Sequence, residues 1–246
     1  MTLRSTLRFL LFALLIGFSS CGSDPDPASD TGQTNQGIAP ESVSLQLDAE
    51  PDQLNPVLTL SNYSNTIIGA TFSYLQRLNP TTLELEPALA VSAPEVTILE
   101  EGPYAGGVSY TFEIRPEAVW DNGSPVTAED FLFTMKATFN PKVPAAPYRV
   151  YLSFIKEVEI DAENPKRFTV YSDQKYIIGE EAISAALPVL PVHHYDSLGL
   201  MADIPLPDLM DTEKAKALAE SNEKINQFAE QFTSPFFSRE PEGVNG

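Results

Sequence analysis

Cysteine is almost missing from this chain: Cys21 is the only one among 246 residues, so no internal disulfide can form. Histidine is nearly as scarce, with just the adjacent pair His193 and His194. A metal site built on that pair lacks further ligands at usable spacing, so no metal or other cofactor is expected. The pair is read instead as structural, capping a short helix after Pro191. Nucleophilic hydrolysis needs a positioned base beside its nucleophile, and neither a Gly-x-Ser-x-Gly stretch nor a P-loop occurs. The acidic neighbours Glu100-Glu101, Glu129-Asp130 and Glu180-Glu181 point apart on any regular element, so no catalytic residue is assigned and no enzyme is expected. Basic residues are few, 15 against 34 acidic ones, for a formal charge of −19. Such a chain repels phosphate backbones, which excludes nucleic-acid binding. A long apolar run is also absent, since Phe9–Phe18 is well short of the about 20 residues a membrane span needs.

What is present begins with an address. Arg4 and Arg8 form a basic start, Phe9–Phe18 follows as an apolar run, and Ser19-Ser20 put small residues before Cys21. Residues 1–20 read as a signal peptide. The arrangement resembles a bacterial lipoprotein lipobox, with Phe18 where that motif most often has leucine, and the resemblance implies lipidation of Cys21. An ordinary secretory leader with an incidental cysteine is the other reading. Residues 21–40 hold almost no side chain large enough to bury, and so predict a flexible tether.

The most legible stretch is Tyr110 to Phe139. Tyr110, Phe112 and Ile114 alternate with Thr111, Glu113 and Arg115, a strand that Pro116 closes. Asp121-Asn122-Gly123 predicts a tight turn after Trp120, whose ring is expected in the core. Thr127 and Asp130 fit a capping box, and Phe131, Leu132, Met135 and Phe139 make one apolar stripe on the helix it opens.

Elsewhere, Val43, Leu45 and Leu47 predict a short strand, and Ile67, Ile68, Phe72 and Leu75 a helical face. Val96 and Ile98 predict a strand that joins the Tyr110 strand through the Gly-rich loop at residues 101–107. The proline cluster at residues 140–147 predicts irregular backbone. Ile155, Val158 and Ile160 pair with Phe168, Val170 and Tyr171 as a hairpin, and Thr212 to Phe232 reads as one surface helix.

Three separated blocks carry a family resemblance. They are Glu50-Pro51-Asp52-Gln53-Leu54-Asn55-Pro56; Leu75-Gln76-Arg77-Leu78-Asn79-Pro80 with Pro87-Ala88-Leu89-Ala90; and Ile114-Arg115-Pro116 followed by Trp120 through Phe131. Together they resemble the family 5 extracellular solute-binding proteins, the peptide, dipeptide and nickel receptors of ABC importers, with Asn122 as an extra residue. The resemblance implies an α/β fold like that of type II periplasmic binding proteins. Residues 41–72 and 185–246 would belong to a first lobe and 73–184 to a smaller α/β lobe. The end at residues 239–246 reads as an open loop, so an N-terminal fragment is expected, incomplete and with the opposite lobe missing; a stand-alone domain is the alternative.

The same resemblance implies capture of a peptide or other small solute, delivery to permease and ATPase subunits, and anchoring in the cell envelope through Cys21. It places Ser61, Asn62 and Tyr63 alongside an extended peptide and Tyr148 against it. Local turn capping by Ser61 and Asn62, and ordinary packing of Tyr148, are the competing roles. A surface lipoprotein serving as adhesin or assembly factor is the other function class.

Overall fold

The sheet that positions everything else grows from the Tyr110 strand. In a computed structural model, which describes residue 44 and residues 46–238, four strands pair antiparallel in the order β3 (Glu95–Ile98), β4 (Val108–Glu113), β6 (Arg167–Ser172), β5 (Ile155–Ile160). Alternation decides which face is buried: Phe112 and Phe168 sit opposite one another, their rings stacked at 5.7 Å, while Thr111 and Thr169 share a 2.9 Å hydrogen bond on the other face. Both expected hairpins are present. β3 is solvent-exposed along its whole length, as befits an edge. The leader with Cys21, the tether and the closing loop lie outside the described residues, as do Val43 and Leu45 of the strand expected at Val43 to Leu47; its described residues, Ser44, Gln46 and Leu47, are in no strand. The chain divides into two units, Met1–Gln46 and Leu47–Gly246, and all the described strands and helices belong to the second.

Helix α2 (Ala128–Phe139) packs on that sheet through Phe131, stacked on Phe168 at 4.6 Å. Its capping box forms, with the Thr127 N–H donating to the Asp130 carboxylate at 2.9 Å. Trp120 lies in the core as expected, its indole N–H donating to Asp130 at 3.3 Å. A single apolar stripe is too narrow a description, however. Phe133, Lys136 and Ala137 are also buried, and Leu132 is only half-buried, because α2 has protein on nearly every side. Its polar groups are satisfied accordingly. The Lys136 ammonium donates to the Met201 and Ala202 carbonyls at 3.1 and 2.9 Å, and Thr134 accepts from the Leu190 N–H at 2.9 Å.

The motif blocks hold one another. The Arg115 side chain donates to the Ala88 carbonyl at 2.7 Å, its N–H to Leu89, and Ala90 bridges Ile114. In the turn, Gly123 adopts φ +81°, and Asn122 accepts from the Ser124 N–H and hydroxyl at 2.8 and 2.7 Å. A hairpin the sequence did not announce, β1 (Gln76–Leu78) with β2 (Leu85–Pro87), joins the second block to itself. Helix α1 spans Asn62–Thr71, earlier than expected, and leaves Leu75 buried beyond its end. The proline cluster is not irregular throughout: α3 (Ala146–Tyr151) begins inside it, because Pro147 stands in the first turn, where the N–H has no helical partner to lose.

Toward the end of the chain come α4 (Gly179–Ala185), α5 (Val192–Tyr195) and α6 (Leu206–Met210). The expected long surface helix is two helices, α7 (Thr212–Ser221) and α8 (Glu223–Phe232), followed by α9 (Pro235–Ser238). Asn222 makes the break, its side chain accepting from the Lys224 N–H at 3.0 Å as the N-cap of α8. As expected, α8 is amphipathic: Glu223, Lys224, Gln227 and Glu230 face solvent, while Ile225, Phe228 and Phe232 are fully buried on the other side, and Phe228 meets Phe133 edge-on at 5.9 Å. Burial of each such ring contributes about 1.5–3 kcal/mol. No helix among the described residues is long and apolar enough to cross a membrane.

Candidate functional site

Tyr148 sits on α3, held in place by its neighbour. The Arg149 guanidinium reaches back and donates through Nη1 to the carbonyls of Thr138, Asn140 and Val143 at 3.1, 3.2 and 2.8 Å, fixing α3 to the end of α2. Pro147, Tyr148 and Tyr151 on that helix face Glu181, Ala185 and Ala186 of the α4 segment across a cavity of about 330 Å³. Burial raises the Tyr148 phenol above its ordinary pKa. Tyr74 is raised likewise, by burial first and by the neighbouring Tyr148 second; Tyr151 is raised by burial, then by Glu181 and Tyr176. The phenols therefore stay protonated donors at neutral pH. Glu180 and Glu181 point apart as expected: Glu180 accepts from the Gln76 amide at 3.0 Å, whereas Glu181 lines the cavity. Tyr151 and Glu181 were missed from the sequence, and their only signal was proximity to Tyr148 in a fold not yet known.

Ser61, Asn62 and Tyr63 open α1. Asp52 braces that end, accepting from the hydroxyls of Thr59 at 2.7 Å and Ser64 at 2.6 Å; the Ser64 bond above all holds its carboxyl below the usual range. Ser61 occupies the N-cap position, yet its side chain makes no cap bond, so the local-capping role is not realised there. Asn62 and Tyr63 are exposed. Ser61, Asn62 and Tyr63 are not among the residues that line the Tyr148 cavity.

The histidine pair lies in the last turn of α5 and packs against rings; among the described residues neither side chain makes a capping hydrogen bond. His193 meets Trp120 edge-on at 6.2 Å, and His194 lies among Tyr195, Phe236 and Phe237. No group of three metal-ligating side chains occurs among the described residues. Burial, then His193, push the His194 imidazole below its ordinary pKa, with Asp121 opposing, and its Nε2 is buried without a partner among the described residues. The unfolded chain therefore takes up a proton first as pH falls. Stability present above the unfolded value of about 6.5 is lost below it. The urea midpoint is expected to fall between about pH 7 and about pH 5, and less steeply in His194→Gln. Equal slopes in the two proteins would contradict this.

The comparison with known proteins gives the class. Residues 84–229 match the bacterial extracellular solute-binding proteins, family 5, middle region, and the chain belongs to that family. It is 30% identical over 154 residues to the oligopeptide-binding protein OppA of Bacillus subtilis, covering 61% of this chain and 25% of OppA. It is 30% identical over 191 residues to protein XP55 of Streptomyces lividans, covering 78% of this chain and 31% of XP55. Among solved structures it is similar to the oligopeptide-binding protein of Thermus thermophilus in complex with a pentapeptide, with a TM-score of 0.54 and 20% identity over 76% of this chain and 31% of that one. That likeness shows the fold, the mixed α/β architecture of type II periplasmic binding proteins. The chain spans about a quarter to a third of the length of these relatives.

Proposed function

We propose that the chain is part of the cargo receptor of an ABC importer, one that captures peptides outside the cytoplasm and hands them to permease and ATPase subunits. The observation that carries this reading is the Tyr148 cavity. It lies within the family-matched span and offers two protonated phenols, aromatic faces and a carboxylate, yet no nucleophile with a base. Such a surface holds a peptide and leaves it unchanged. Ser61 and Asn62, with polar side chains uncommitted to a cap, supply donors and acceptors for an extended backbone. Within the same reading, residues 73–184 form the smaller lobe and 41–72 with 185–246 the first. Cys21 carries the lipid that keeps the receptor at the cell envelope.

Calorimetric titration of the full chain with mixed-sequence oligopeptides tests this. Binding is expected, and Tyr148→Ala should weaken it about tenfold, on the order of 1.4 kcal/mol. No heat from any peptide, or equal affinity in the variant, would contradict the assignment of this cavity.

A further inference from the structure

The largest of the described cavities is a different one. On the far side of α3 from Tyr148, a groove of about 610 Å³ runs between α3, the end of α2 and the α6–α7 pair. Its apolar lining comes from Phe139, Leu209 and Met210, and three cations also line it: Lys142, Arg149 and Lys216. No carboxylate of the described residues lines it. Each of the other described cavities has at least one, as a chain with 34 acidic residues against 15 basic ones leads one to expect.

The cations are also unspent. Among the described residues neither Lys142 nor Lys216 has an ion-pair partner within 4.0 Å, whereas Lys156, Lys214 and Lys224 each have one. Arg149 gives Nη1 to three carbonyls and leaves Nε and Nη2 without a partner among those residues. A local reversal of sign over an apolar floor selects an anion that has an apolar body, and the volume falls within the roughly 300–1,000 Å³ of small-molecule sites.

We propose that this groove binds a small amphipathic carboxylate, its head between Lys142, Lys216 and the free edge of Arg149 and its hydrocarbon body against Phe139, Leu209 and Met210. This is a second site, separate from the cargo cavity and independent of the assignment made there. Arg149 presents donors in a plane suited to a carboxylate, and the two ammonium groups add charge without demanding one geometry.

The test is titration of the full chain with decanoate, decyltrimethylammonium and an alternating Leu-Glu peptide. Decanoate is expected to bind, the cationic amphiphile at least tenfold more weakly. The double substitution Lys142→Gln with Lys216→Gln should weaken decanoate binding tenfold or more. Val150→Asp, at an exposed position on the rim, should do the same without touching the core. Tyr148→Ala should leave decanoate affinity unchanged. Equal binding of both amphiphiles, undiminished binding in the lysine variant, or loss in Tyr148→Ala would each overturn the proposal. Tenfold tighter binding of the Leu-Glu peptide would also overturn it and identify the groove as a protein-docking surface. Association of the chain with itself that decanoate cannot disperse would overturn it in favour of a second copy.

Discussion

Asp130→Ala is expected to destabilise the protein by about 2–4 kcal/mol, a large effect for the truncation of one polar side chain. The carboxylate is 2% exposed, and both its oxygens are in use. Oδ2 accepts from the Thr127 N–H at 2.9 Å and from the Trp120 indole at 3.3 Å; Oδ1 accepts from the Val192 N–H at 3.0 Å. One side chain thus caps α2, fixes the turn before it and ties in the start of α5. Alanine would take the acceptor from three donors, the indole N–H in a buried setting and the Thr127 and Val192 N–H groups in part-buried ones, and a donor left buried without a partner costs about 1–3 kcal/mol. Asp130→Asn keeps the shape and one acceptor, so it should lose less than half as much. Urea unfolding followed through Trp120, the only tryptophan, measures both. A loss in Asp130→Ala below about 1 kcal/mol would show that these bonds are replaceable.

The second large effect is expected at Gly107, and Gly106 supplies its control. A Cβ on Gly107 would lie 1.9 Å from the Ser172 carbonyl oxygen and 2.8 Å from its carbon. These are backbone atoms at the first pair of the β4–β6 ladder, where the Ser172 hydroxyl donates to Val108 at 2.7 Å, so no rotamer change relieves the clash. Gly107→Ala must push the two strands apart at that point, at a cost of about 3 kcal/mol. At Gly106 the constraint is different: φ is +88° and a methyl group there would have nothing within 4 Å, so alanine meets only the backbone preference, about 1 kcal/mol. Thermal unfolding of the two variants should rank them in that order. A reversed order would mean that β4 and β6 are not closely apposed at this end of their ladder.

These residues also mark how far the sequence could be read. The capped helix, the Trp120 turn and both hairpins of the large sheet follow from local patterns: period-two alternation, a Thr-x-x-Asp box, and a loop rich in glycine. The β1–β2 hairpin did not show because strands of three residues, one of them ending on Pro87, are too short to display a period. Helix α3 was hidden by its own prolines, although a proline in a first turn is no obstacle. Burial was the harder quantity. The apolar stripe of α2 at helical spacing gives no sign that Phe133 and Ala137, off that stripe, are covered as well. Lys136 likewise gives no local sign that two carbonyls 65 and 66 residues later will receive it. At the candidate site, Tyr148 was found through resemblance, while Glu181 and Tyr151 became visible only once α3 and α4 were seen to face each other.

The claim on which the account rests is that the recess beside Tyr148 holds cargo and does not transform it. Native mass spectrometry of the full chain, purified gently and then offered a defined oligopeptide mixture, addresses it most directly. The account predicts adducts of intact peptide mass that persist on standing and are depleted in Tyr148→Ala. A bare chain at every peptide concentration, or the appearance of shortened peptides in the mixture, would contradict it.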